Sequence, residues 1–243
     1  MKKYIFLGVL VFLFAMVAYV PASVAGKLLP KNIIAEQFQG NVWDGSASSI
    51  TINQINYGSI KWKIKPSCFL LIKICADIKQ NHADITSSFL LKARSTTEII
   101  NLLISGNSQV LNPLLKNYGI TLSGDFNGNM EKIKFDNQRI QHLQGNMKFT
   151  ALDVNGVLRL SMGNVDCIFE PEKDYTQIKI DNKQGHIDLA GAIQLFNDMK
   201  YQLDIKVQKN SNSTEAVVNG LNFIGELQPD GSVRLEQRGS LAI

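Results

Sequence analysis

The side chains able to do chemistry are few and scattered. The 243 residues include three histidines, His82, His142 and His186, and three cysteines, Cys68, Cys75 and Cys167. A zinc site or a hydrolase needs convergent ligands, or a nucleophile paired with a base. No histidine here has a second His or Cys at ligand spacing, so solvent-facing or strand-end positions are the simpler reading. Glu170 and Glu172 flank Pro171 in a charged stretch that ends at Asp174, which reads as a loop rather than a glycosidase dyad. Gly40 and Gly45 have the spacing that opens a phosphate-binding loop, but Ser46 and Ala47 follow, without the lysine such a cradle needs. No nucleophile elbow and no dinucleotide fingerprint occurs. The three cysteines are an odd number, so at least one thiol is unpaired or bonded to a partner. Cys68 and Cys75 lie seven residues apart and would face opposite sides of an unbroken strand, so a bridge between them would need a bend. No disulfide is predicted, and burial as small apolar residues serves equally well.

The elements that must carry these residues are strands. Ile60, Trp62 and Ile64 alternate with Lys61, Lys63 and Lys65. Ile72, Ile74, Ala76 and Ile78 share one face, opposite Lys73, Cys75, Asp77 and Lys79. Tyr201, Leu203, Ile205 and Val207 alternate with Gln202, Asp204 and Lys206, and Ile178–Asp181 repeats the pattern. Such alternation marks antiparallel sheet with one face packed and one wet. Asn155-Gly156 and Asp230-Gly231 predict hairpins over 152–162 and 227–235, and Asn127-Gly128 predicts a further turn. Helix is scarce. Short pieces are expected within 96–118, and a turn of helix over Lys31–Gln37. If the apolar faces turn inward, Trp62, Ile72, Ile74, Phe126, Leu158, Leu203 and Ile205 should be buried.

The N-terminus differs from the rest. After Lys2 and Lys3 nothing charged occurs until Lys27, and Tyr4–Val20 is apolar throughout. Extended to Val24, a helix here would be about 31 Å long, close to the hydrocarbon thickness of a bilayer. An uncleaved anchor is expected; the alternative is a signal peptide cleaved after Ala25. Either way the body leaves the cytoplasm, with Lys2 and Lys3 favouring a cytoplasmic N-terminus. The formal charge of +4 includes those two lysines, so the body carries no footprint for nucleic acid.

The segment Gly40-Asn41-Val42-Trp43-Asp44-Gly45-Ser46-Ala47 resembles the signature of the type II secretion system protein N family. So does Ile60-Lys61-Trp62-Lys63-Ile64-Lys65-Pro66. Weaker likeness continues through Gly185–Gly191 and Pro229-Asp230-Gly231. The family-signature residues are thus Gly40, Trp43, Gly45, Trp62 and Pro66, in structural roles. The resemblance implies an accessory inner-membrane component of the machine that exports folded proteins from the periplasm across the outer membrane. It implies partners among that machine's inner-membrane and periplasmic components. It brings no catalytic residue, no cofactor and no metal.

The expectation is a mostly β protein: one N-terminal transmembrane helix, then one curved antiparallel sheet domain with one or two short helices. Residues 1–3 form a cytoplasmic tail, 4–24 a transmembrane anchor in the bacterial inner membrane, and 25–243 a periplasmic β-rich domain. A second functional reading is a membrane-anchored lipid-handling protein of the AsmA-like bridge type, because an open apolar sheet face needs lipid or a partner to cover it.

Overall fold

The computed structural model describes residues 2–27, 29, 32–52, 55–116, 119–136, 139–156, 159–224 and 226–240. They fall into two units, Met1–Arg94 and Ser95–Ile243. The N-terminal unit contains helices α1 (Lys2–Ala18) and α2 (Ala22–Lys27). Its strands are β1 (Ile33–Glu36), β2 (Gln39–Gly40), β3 (Asp44–Ala47), β4 (Ser49–Ile52), β5 (Ile55–Asn56), β6 (Ser59–Ile64), β7 (Ile74–Asn81) and β8 (Ile85–Ala93). One antiparallel sheet has the order β1-β4-β5. In another the unit's strands run β2-β3-β6-β7-β8.

The expected transmembrane helix is not what forms. α1 has 17 residues and ends at Ala18, which makes it about 26 Å long against a hydrocarbon core of about 30 Å. Among the described residues no helix is long and apolar enough to cross a membrane. The physical reason lies just beyond Ala18. The Val20 carbonyl accepts from the Val42 amide at 2.9 Å, and Pro21 bridges to Asn41. The β-body takes the backbone groups that a longer helix would have used. Pro21 has no amide to donate, and the chain restarts as α2. The single-pass inner-membrane placement expected from the sequence is corrected with it.

The C-terminal unit contains β9 (Thr97–Asn107), α3 (Asn112–Leu115), β10 (Thr121–Asp136), β11 (Arg139–Asn155), β12 (Arg159–Pro171) and β13 (Tyr175–Lys183). It continues with β14 (Ile187–Phe196), β15 (Lys200–Lys209), α4 (Glu215–Ile224), β16 (Glu226–Leu227) and β17 (Val233–Ser240). From β9 to β15 neighbours in sequence are neighbours in the antiparallel sheet, and β17 then β16 complete the order. Leu152, Met162, Val165, Ile187, Ile205, Val207 and Val233 form its buried cluster. α4 lays Val217 and Leu221, four residues apart, against the same cluster.

The body is mostly antiparallel sheet, as its alternation implied. The expected curvature of the sheet is not found. The strands divide between two units, and in each the strand order is open, with no closed or curved sheet among the described residues. Thr96–Ile104, expected to include helix, lies largely in β9, and 33–36 of the Lys31–Gln37 segment is β1. Asn127-Gly128 is no turn: it lies inside β10, paired with β9 on one side and β11 on the other. The hairpins at Asn155 and Asp230 form, pairing Asn155 with Arg159 and Leu227 with Val233. Phe126 and Ile205 are buried and Trp62 and Leu203 partly so, while Leu158 lies outside the described residues. Ile72 and Ile74 are exposed, at 76% and 53%. The strand begins only at Ile74, and Ile72 sits before it in a left-handed turn with φ 54°.

Candidate functional site

The five signature residues all lie in the N-terminal unit: Gly40, Trp43 and Gly45 in a tight β2–β3 turn, Trp62 in the strand that pairs with β3, and Pro66 just after that strand. Asn41 organises the turn. Its Oδ1 accepts from the Trp43 amide at 2.9 Å and the Asp44 amide at 2.8 Å, while its own amide donates to the Asp44 carbonyl. This is the Asx geometry that lets asparagine stand in for a backbone turn. Gly40 enters it at φ 81°, where a side chain would be strained.

Gly45 pairs directly with Trp62 across β3 and β6. A Cβ on Gly45 would lie 2.5 Å from Trp62 Cζ2 and 2.6 Å from the Asn41 carbonyl oxygen. The glycine therefore makes room for the indole to lie against the strand. Trp62 Nε1 donates to the Val42 carbonyl at 2.9 Å, and Phe38 meets its ring edge-on at a centroid distance of 6.3 Å.

Trp43 works elsewhere. Its Nε1 donates at 2.9 Å to the Val17 carbonyl, one of the last carbonyls of α1, which have no partner within the helix. Its ring meets Phe69 edge-on at 5.9 Å. Phe69 belongs to a 3-10 helix, Pro66–Leu71, with Pro66 at its first position, a place that needs no amide donor. The bend that sequence spacing left open is this one. Cys68 and Cys75 are joined by a disulfide, with Cα atoms 5.9 Å apart. The stapled loop holds Phe69, Leu70, Leu71, Ile72 and Ile74 exposed. Spacing gave no signal for it, because the 3-10 turn and the left-handed Ile72 cancel the parity of an unbroken strand.

Behind the Trp62 ring lies a cavity of about 230 Å³, lined by Phe38, Val42, Ala47, Ile50, Ile60, Trp62, Ile64, Ala76 and Ile78 together with Leu29 and Ala35. Every one of these side chains is apolar.

The groups that could do chemistry stay apart. His82 Nδ1 lies 3.7 Å from Asp84, His142 contacts Gln144 at 3.3 Å, and the buried His186 Nδ1 has no hydrogen-bond partner. Glu170 pairs with Lys179 at 2.6 Å. Burial, then the charges of Asp166 and Asp181, push the Cys167 thiol up to about 11, away from the reactive thiolate form. Among the described residues no three His, Cys, Asp or Glu side chains gather to hold a metal.

The sequence profile of "Type II secretion system (T2SS), protein N" matches residues 31–236. The chain belongs to this family. A curated relative, "Type II secretion system protein N" of Vibrio cholerae serotype O1, is 22% identical over 260 residues, covering 99% of this chain and all of that protein. No solved structure matches the chain. Membership gives the chain a general accessory role in type II secretion.

Proposed function

We propose that the protein is an accessory component of the type II secretion machine, supporting export of folded proteins from the periplasm across the outer membrane by contact with the machine's other components. The observation that carries this reading is the family match over 31–236, which takes in most of both units. Two features support it. The Cys68–Cys75 disulfide suits an oxidising compartment rather than a cytosol. The signature residues serve to build a shaped surface: Trp62 locks β6 to the β2–β3 turn, and Trp43 ties α1 to the stapled loop.

The test is native copurification of the tagged full-length chain, alongside a chromosomal deletion scored for secreted exoprotein. Components of the secretion machine should copurify, and the deletion should lower secretion until the wild-type chain is restored. Normal secretion in the deletion, with no machine component recovered, would defeat the proposal.

A further inference from the structure

We propose that the apolar cavity behind Trp62 is a binding site for a single hydrocarbon chain. The pocket measures about 230 Å³ and opens to solvent on one side, so a chain could enter it. A dry cavity of about 150 Å³ already accepts a benzene molecule. Water is a poor occupant, because it needs two to four polar partners. The cavity walls offer none: Phe38, Val42, Ile50, Ile60 and Ile78 are hydrocarbon. The one polar side-chain atom of Trp62 is already committed to the Val42 carbonyl.

The room is built in. Three lining positions, Ala35, Ala47 and Ala76, are alanine on strands, where larger β-branched residues are favoured and would fill the space. Ala47 and Ala76 are 1% and 6% exposed, so their small size is not a surface accident. The walls are held open by rigid devices. Gly45 seats the Trp62 ring, the ring is pinned by its N–H, and Phe38 braces it edge-on.

The same lining selects the occupant. A peptide segment would bring amides that no wall group could satisfy, at the cost of unpaired buried polar atoms. An unbranched acyl tail brings none. A free fatty acid and a phospholipid present the same tail, and the test separates them. The inference rests on the cavity alone and does not depend on the secretion role.

Full-length protein carrying Trp43→Phe retains Trp62 as its sole tryptophan. Stearic acid brominated at mid-chain, a contact quencher, is titrated in one arm. Vesicles of phosphatidylcholine with brominated tails are titrated in the other. Saturable quenching of Trp62, reversed by excess unbrominated stearate, is expected in at least one arm, and that arm identifies the source. Ala76→Leu, and separately Ala35→Leu, put extra carbon into the cavity and should weaken binding about tenfold, the cost of displacing one or two methylenes of the tail. Circular dichroism checks that each variant folds. Leu70→Ser, on the exposed stapled loop, should leave the titration unchanged. Absence of quenching in both arms would overturn the proposal. So would full quenching in both cavity-filling variants, or its loss in Leu70→Ser, which would put the tail on the loop instead.

Discussion

Removing the Cys68–Cys75 bridge should destabilise the N-terminal unit by an amount that chain entropy sets. The two cysteines are separated by seven positions. Closing so short a loop in the unfolded chain removes roughly 8 cal/mol/K, or about 2.4 kcal/mol at room temperature. With a urea m-value of roughly 1.5 kcal/mol/M for a small unit, the midpoint should fall by about 1.6 M in Cys68→Ser/Cys75→Ser. Tryptophan fluorescence is the right probe, because both tryptophans, Trp43 and Trp62, belong to this unit. Thiol titration of denatured, unreduced protein should find one free thiol, Cys167, and three after reduction. The competing holding forces are local hydrogen bonds: Lys65 N–H to the Cys75 carbonyl at 2.8 Å and Ile72 N–H to the Phe69 carbonyl at 2.9 Å. If they suffice, the midpoint will hardly move when the bridge is lost, and the entropic reasoning is wrong. Three free thiols before reduction would refute the bridge itself.

Gly45→Ala should cost about 1–3 kcal/mol, measured by the same fluorescence melt, because the new methyl meets the Trp62 ring and the Asn41 carbonyl. Leu221→Ala removes buried carbon from the contact between α4 and the sheet and should cost about 2–4 kcal/mol in a far-ultraviolet denaturation curve; a loss below 1 kcal/mol would mean the helix is not packed there. Cys167 should alkylate about a hundredfold more slowly than a free thiol at pH 8, since burial pushes its thiol up to about 11, and equal rates in folded and unfolded protein would contradict its burial. Lys206 first, then the Ser232 hydroxyl and amide, hold the Asp230 carboxyl well below the usual carboxylate range. A depressed folded value stabilises above the unfolded value near pH 4 and is lost as pH falls through the folded one. Asp230→Asn should therefore lower the melting temperature slightly at pH 6, and the gap from wild type should close toward pH 2. A gap independent of pH would exclude the charge as its cause.

The strands that could be read from the sequence are those with one wet face. β6 and β15 alternate cleanly, so period two located them and identified Ile205 as core. β9 hid because Ile99, Ile100, Leu102, Leu103 and Ile104 place apolar residues on both faces, and Asn101, at φ 52°, interrupts the parity. Asn127-Gly128 is a strong local turn signal overridden by pairing on both sides within β10. α4 was missed because Asn219 and Gly220 weaken its propensity, and what fixes it is the packing of Val217 and Leu221 on a sheet built from distant residues. The N-terminal helix was overlong for a related reason. Apolar composition continues past Ala18, and only the long-range bond from Val42 to Val20 shows where the helix yields to the sheet.

Trp43 and Trp62 stand in similar strand-like contexts, and one sequence offers no reason to treat them differently. The structure separates them by what each indole N–H reaches. Trp62 reaches from β6 to the β2–β3 turn, at the Val42 carbonyl, and its ring forms the wall of an apolar cavity. Trp43 reaches back to Val17 and across to Phe69, so it links two segments whose apolar side chains face solvent, α1 and the stapled loop. Apolar surface of that extent is of the kind that marks an interaction site. In the N-terminal unit one tryptophan thus shapes an interior and the other a surface. The nearby glycines are needed for the same reason: Gly45 because a ring must lie flat on a strand, Gly40 because a turn must reverse at positive φ. A signature that looks like a binding motif in sequence is, residue by residue, a way of holding two apolar shapes in place.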